Sequence, residues 1–281
     1  MGDSEMLVTN AGVQMPRILY GTAWKKERTA ELVSCALGLG FRGIDTACQP
    51  KHYHEPGVGD AIAAFLGEGG QRADLYLQTK FTPFGGQDPQ RVPYDPRASL
   101  AEQVRQSHAV SLRNLQTRYL DALVLHSPLP SREQTLEAWR AMEALVDAGS
   151  VRQLGISNCY DAQELKALQQ AVRIKPAIVQ NRFYADTGYD EEIRSFCSLQ
   201  GIVYESFWTL TANPGLLGNA NLLNLASRHQ RTPAQILFRY LSERGVVPLT
   251  GTTNPAHMRE DLAIFEFELA EHECEAIDLL L

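Results

Sequence analysis

An aspartate, a tyrosine, a lysine and a histidine stand where they could act together: Asp45, Tyr53, Lys80 and His126. Three of them directly follow a short apolar run. Asp45 closes GFRGID, Lys80 closes LYLQTK, and His126 closes LDALVLH. If those runs are neighbouring parallel strands of a barrel, the three polar groups emerge at the end where such folds build their active sites. Tyr53 lies in the segment after Asp45. A free phenol has a pKa of about 10 and is a poor acid near neutrality. A lysine cation beside it favours the phenolate and lowers that value. Asp45 would hold Lys80 charged and oriented, and His126 would offer a hydrogen bond to an oxygen gaining charge. Singly, each residue has a plainer role: Asp45 as a helix cap, Lys80 as a solvated loop lysine, His126 as a core histidine. Their recurrence at successive strand ends is what favours chemistry.

The segments that carry these residues alternate in type. Helical stretches near 28–38, 57–66, 98–115 and 132–148 each precede a short apolar strand: Phe41–Ile44, Leu75–Thr79, Ala122–Leu125 and Val151–Ile156. Further strands are expected near Ala177–Val179, Ile202–Glu205 and Val246–Pro248. In the helices apolar residues recur three and four apart, as at Leu136, Trp139, Met142 and Val146. The strands are apolar on consecutive positions, as when both faces are buried. With Arg17–Tyr20 as the first, about eight strands alternate with helices. That pattern fits a closed (β/α)8 barrel, and an open doubly wound sheet satisfies it too. A leading hairpin, Leu7–Met15, turns near Asn10 and Gly12 and is expected to cover the N-terminal mouth. One domain over residues 1–281 is the simplest organisation.

Composition narrows the function. The net charge is −7 and no basic stripe is visible, which argues against a nucleic-acid partner. No apolar run is long enough to span a bilayer, so no membrane partner is expected. The start, Met1-Gly2 with Met6 in place of Ser or Thr, carries neither a myristoylation signal nor a signal-peptide core. Five scattered cysteines without a C-x-x-C pair read as reduced thiols of a cytoplasmic protein. Gly38-Leu39-Gly40-Phe41-Arg42-Gly43 matches G-x-G-x-x-G, but a helix precedes it and a strand follows, the reverse of what phosphate binding requires. It reads as a helix C-cap and turn. Gly155-Ile156-Ser157-Asn158-Cys159 resembles a nucleophile elbow but lacks the closing glycine. His52, His54 and Glu55 have no third histidine close in sequence, and no metal site is expected.

The motifs GFRGIDTA, QTKF and LHSP resemble the strand-end motifs of the aldo-keto reductases. SLRNLQTRYLDALVLHSP, GISN, KPAIVQN and PLTGTTNPAHMREDL continue that resemblance in the family's order over nearly the whole chain. It implies a barrel enzyme that reduces an aldehyde or ketone to an alcohol. The hydride must come from a cofactor, since no side chain supplies one. The implied cofactor is NADPH, and the implied catalytic tetrad falls on Asp45, Tyr53, Lys80 and His126. Ser157, Asn158 and Gln180 match the positions that hold the nicotinamide carboxamide, and Phe207 matches the ring stacked on it. Trp208, Thr209 and Leu210 follow along the pyrophosphate. Thr250, Gly251, Thr252 and Thr253, with His257, Arg259 and Asp261, surround the adenosine phosphate. Trp24 borders the substrate pocket, to which His52 and Phe84 are also assigned. The partner is a small carbonyl compound, and the chain is expected to be a monomer. Two other functions fit the same residues: a cofactor-binding regulatory subunit with little turnover, and an alcohol dehydrogenase working toward oxidation.

Three departures from the family shape the expectations. Tyr53 lies eight residues after Asp45, where the family more often has five, which makes His52 a rival proton donor. Tyr53 is the better acid beside a lysine, because the same cation disfavours an imidazolium. Leu249 stands where a lysine often meets the 2′-phosphate, so the NADPH preference is expected to be modest and NADH use is admitted. The chain ends soon after a helix near 271–280. An open pocket is therefore expected, with the loop 84–97 taking a larger share of its wall and bulky carbonyls accepted.

Overall fold

The computed structural model describes residues 5–281. Strands β1 (Met6–Val8) and β2 (Gln14–Pro16) pair antiparallel. Then come β3 (Leu19–Gly21), α1 (Thr29–Leu39), β4 (Gly43–Asp45), α2 (Glu55–Gly67), β5 (Tyr76–Phe81), α3 (Leu100–Asn114), β6 (Leu120–Leu125) and α4 (Arg132–Asp147). The chain continues through β7 (Val151–Ser157), α5 (Ala162–Ala171), β8 (Ile178–Arg182), α6 (Glu191–Gln200) and β9 (Val203–Phe207). Helices α7 (Pro214–Leu217), α8 (Ala220–His229) and α9 (Pro233–Glu243) precede β10 (Val246–Thr250), α10 (Pro255–Leu262) and α11 (Glu271–Asp278). Strands β3 to β10 are parallel, and β10 pairs with both β9 and β3, so the sheet closes into an eight-stranded barrel.

The open-sheet alternative is thereby removed. Every residue of β4, β5, β6 and β10 is buried, as the consecutive apolar positions require when helices cover one face and the barrel interior the other. Helix α4 shows how the outer ring is built. The Ser131 side chain accepts from the Gln134 amide at its start, and Ala138, Trp139 and Met142 face inward. Helix α1 ends at Gly40, whose φ of 118° is left-handed backbone. The Phe41 amide reaches back to the Ala36 carbonyl at 3.0 Å, and β4 follows from Gly43. The glycine-rich segment is therefore a helix stop, as its context implied, and the strand starts two residues later than its apolar run.

The hairpin seals the N-terminal end. Val13 and Met15 pack with Leu19, Tyr76, Ala122, Ala177, Val203 and Val247. A column of polar groups rises from this floor through the barrel interior. Thr9 Oγ1 donates to Gln153 Oε1 at 2.6 Å, and Gln153 Nε2 donates to the Tyr76 hydroxyl at 3.0 Å. That hydroxyl donates to Gln78 Oε1 at 3.0 Å.

Candidate active site

At the opposite end of the barrel the strand ends converge. Asp45 ends β4, Lys80 lies near the end of β5, and His126 immediately follows β6. Lys80 Nζ donates to both Asp45 oxygens, at 2.7 and 2.6 Å, and to the Thr46 carbonyl at 2.9 Å. The pair is almost completely buried. Two amides complete the layer. Gln78 Nε2 and Gln180 Nε2 each donate to Asp45 Oδ1 at 2.9 Å, and each also donates to Glu205 Oε2 at 2.7 Å.

Tyr53 comes from the loop between β4 and α2. The Lys80 ammonium lies 5.3 Å from its ring centre, and the His126 ring lies 6.0 Å away. His52, one residue earlier, stacks on Trp24 with ring centres 3.9 Å apart. The next two residues leave the site. His54 Nδ1 accepts from the Gly57 amide at the start of α2. Glu55 enters the core, where Thr79, Ser111 and Asn114 donate to it. The lengthened loop thus sorts its side chains by what each can bury against.

Electrostatics follow from burial and these partners. Burial pushes the Tyr53 phenol above its ordinary value; Lys80 works against this, and Asp45 adds to it. The lowering expected from Lys80 is present but is outweighed, because the phenolate would lose more hydration than one cation returns. For Lys80, burial alone disfavours the cation, yet Asp45, Tyr53 and Glu205 hold its pKa above the usual lysine value. His126 is held well below the usual imidazole value, first by burial, then by Lys80 and His52. Its Nδ1 sits 2.6 Å from Thr82 Oγ1. His52 is also lowered, by burial and by Lys51.

These groups face a cavity of about 1130 Å³. Trp24, Asp45, His52, Tyr53 and His126 line it on one side, with Ser157, Asn158, Gln180, Phe207, Trp208 and Leu210 on another. Its far end is lined by Thr250, Gly251, Thr252, Thr253, His257 and Asp261. Trp24, Asn158 and Trp208 all adopt left-handed backbone, at φ of 65°, 52° and 56°. Such strain in non-glycine residues costs about 1 kcal/mol or more each and collects at functional sites. Ser157 and Asn158 are already braced: Ser157 Oγ donates to the Gln180 carbonyl at 2.6 Å, and Asn158 Nδ2 to the His126 carbonyl at 2.8 Å.

Four expected residues are placed otherwise. Lys80 lies beneath the cavity wall and reaches it through Tyr53 and Asp45. Thr209 is buried, with its hydroxyl on Ser206. Arg259 is outside the lining. On α10 the lining positions His257, Glu260 and Asp261 are three and four apart, whereas Arg259 is two from His257 and so falls on another face. Phe84 is exposed and no residue of 84–97 lines the cavity, contrary to the expectation for that loop. The loop is folded down instead: Gln87 Nε2 donates to the Cys48 and Thr82 carbonyls, and the Tyr94 hydroxyl to the Thr82 carbonyl.

Other residues arrive unannounced. Lys25 lines the far end, with its ammonium 2.6 Å from the Gly251 carbonyl; burial, then Arg28, lowers its pKa to about 8. Arg182 lines the wall 4.4 Å from the Trp208 ring centre. Gln78 and Glu205 complete the buried layer. The Trp-Lys-Lys run showed Lys25 as one of two adjacent lysines, with nothing to say which turns inward.

The far end fits a dinucleotide. It combines a buried cation, hydroxyl and amide donors on the turn after β10, and the aromatic face of Phe207 nearer the tyrosine. Gln180 uses its amide hydrogens on Asp45 and Glu205, which leaves its Oε1 as the acceptor on that wall.

Residues 17–281 match the model of the aldo/keto reductase family. The chain is 31% identical over 272 residues to a glyoxal reductase of Bacillus subtilis, covering 96% of this chain and 90% of the relative. It is 26% identical to aldo-keto reductase family 1 member A1 of Cricetulus griseus, covering 98% and 89%. A crystal structure of an aldo/keto reductase from Brucella melitensis superposes with a TM-score of 0.84 at 30% identity, covering 98% of this chain and 99% of that one.

Proposed function

The chain belongs to the aldo/keto reductase family, and from that premise we propose that it reduces an aldehyde or ketone to an alcohol, using NADPH, with Tyr53 as the proton donor. One arrangement carries this reading: Tyr53, in the cavity wall, has the Lys80 ammonium 5.3 Å from its ring centre and the His126 ring 6.0 Å away.

Each residue has a role that follows from its surroundings. Tyr53, held above the usual phenol pKa, keeps its proton through the neutral range and offers it to a carbonyl oxygen. As that oxygen takes the proton, Lys80 stabilises the phenolate left behind. Asp45 fixes Lys80 from both carboxylate oxygens. His126 is held neutral, and in the tautomer in which the Thr82 hydroxyl donates to Nδ1, Nε2–H can donate to the oxygen as charge develops. When bound, the reduced nicotinamide supplies the hydride. Ser157, Asn158 and Gln180 would hold its carboxamide, Phe207 its ring, and Lys25 with the Thr250–Thr253 turn the adenosine phosphates. Glu260 and Asp261 line the same end and oppose the extra phosphate, so the preference for NADPH over NADH is modest.

The test mixes the protein with NADPH and glyoxal, the aldehyde in the name of the Bacillus relative, or a bulkier aromatic aldehyde, and follows cofactor absorbance. Turnover should fall ~100-fold or more in Tyr53→Phe, the usual scale for losing a general acid, with NADPH affinity unchanged. His52→Ala should act on substrate affinity, through its stacking on Trp24. Near-normal turnover in Tyr53→Phe with collapse in His52→Ala would reverse the assignment.

A further inference from the structure

The chemistry above gives Glu205 no part, yet Glu205 shares its hydrogen-bond donors with the catalytic ion pair. It lies on β9, opposite Gln180 of β8 and Val247 of β10 in register, and is completely buried. Its Oε2 accepts from Gln78 and Gln180, whose second amide hydrogens go to Asp45 Oδ1. Its Oε1 finds no partner among the described residues. Two carboxyl groups therefore sit across the same pair of amides, with the Lys80 ammonium as the cation of that layer. That ammonium is committed to Asp45.

We propose, on the reading of Tyr53 as proton donor, that Glu205 is a positioning residue that carries a proton while the enzyme is active, and that losing this proton weakens proton delivery by Tyr53. The charge balance points this way. With both acids ionised, the buried layer holds two negative charges against Lys80 alone. With a proton on Glu205, Asp45 and Lys80 form a neutral pair. The proton goes to Glu205 because Lys80 contacts both oxygens of Asp45 and donates no hydrogen bond to Glu205. Oε1 is the oxygen with room for it, since Oε2 already accepts two hydrogen bonds. The titratable groups around Glu205 are Asp45 from β4 and Tyr76 and Lys80 from β5, with Tyr53 beyond Lys80. Gln180 on β8 and Val247 and Pro248 on β10 bring no charge. Burial and Asp45 together push the Glu205 carboxyl up to about 7.

Ionisation of Glu205 sets a second negative charge against Lys80. Less of the Lys80 field is then available to a Tyr53 phenolate, so Tyr53 becomes a weaker acid. A rise of one pKa unit at a Brønsted slope of about one half lowers turnover roughly threefold. With cofactor and aldehyde saturating, kcat for reduction should fall roughly threefold as pH rises through about 7. Glu205→Gln keeps the shape and a neutral group, and its kcat should stay at the acid-side level across the same range. An infrared difference titration without substrate gives a second readout. The carboxylic acid band should vanish near neutrality in the wild type, and the wild-type-minus-Glu205→Gln difference should contain it. Retention of the wild-type pH profile by Glu205→Gln, or a difference spectrum without that band, would overturn the proposal. If the wild type turned over no carbonyl compound at any pH, the reductase reading would fail, and the infrared band would still decide whether Glu205 holds a proton.

Discussion

The two ends of the barrel are built from the same strands and bury their side chains equally well, yet they solve opposite problems. At the floor, the hairpin residues Val13 and Met15 cover an apolar layer, and the few polar groups there, Thr9, Gln153 and Tyr76, satisfy one another. At the mouth, Asp45, Lys80 and Glu205 are just as buried but ionisable, and Glu205 Oε1 has no hydrogen-bond partner among the described residues. The floor gains stability from removing apolar surface from water. The mouth gives some of it up to keep charged groups dry beside a cavity, which is where electrostatic effects are strongest.

Four substitutions would break or sharpen that contrast. Lys80→Met should be the most damaging. It leaves Asp45 without its cation, the kind of loss that costs about 3–5 kcal/mol, and it removes the charge that supports Tyr53. Denaturant unfolding should show the first effect, and turnover should drop ~100-fold or more. A variant of full stability would mean that the pair is not held as tightly as its distances say. Met15→Ala is the counterpart at the floor. A buried methionine cut to alanine costs about 2–5 kcal/mol, and kcat should be untouched at a temperature where the protein remains folded. An equal loss of kcat would show that the two ends are coupled.

Glu205→Gln should separate the ends by pH. The folded state keeps a proton on Glu205 up to about 7, whereas the unfolded chain gives it up near the ordinary glutamate value of 4.5. Between those values the folded state binds more protons, so wild-type stability falls as pH rises through that window. The cumulative loss is on the order of 3 kcal/mol at about 1.4 kcal/mol per pH unit. The glutamine variant has no such proton, so its stability relative to wild type should climb by that amount over the window and level off above it. Unfolding curves at several pH values test this, and a constant difference would place the proton elsewhere. Tyr76→Phe should have the smallest effect. It leaves Gln153 and Gln78 each short of a hydrogen bond, at about 1–3 kcal/mol, without touching the cavity.

The barrel itself was legible because it rests on local patterns. Apolar runs, helix spacing and the polar residue after each run lie within a few positions of one another. Three of the candidate site residues were legible for the same reason: Asp45, Lys80 and His126 each mark the end of a run. The buried layer was not. Gln78 and Glu205 are two of several polar residues on their strands, and nothing local shows that β5 and β9, on separate parts of the ring, bring both side chains to the layer around Asp45. Tyr53 and His52 could be ranked by acid strength but not placed. Their directions depend on which finds an aromatic neighbour and which finds an ammonium. Arg259 was misplaced because similarity aligns positions along a chain, and a helix turns 100° with each one. Lys25, from the loop after β3, is the lysine that lines this end of the cavity.

The column of side chains rising from Thr9 has a direction. Thr9 donates to Gln153, Gln153 to Tyr76, Tyr76 to Gln78, and Gln78 to Asp45 and Glu205. Each link points its hydrogen toward the mouth. The links from Gln153 and Gln78 run through amide nitrogens, which donate hydrogen bonds but do not accept protons. The column therefore transmits polarisation and blocks conduction. Among the described residues, this column gives a proton lost from Glu205 no relay toward the hairpin, which points its exchange toward the cavity end. The interior of this barrel is an insulator with one electrically open face, and that face is the one beneath the cavity.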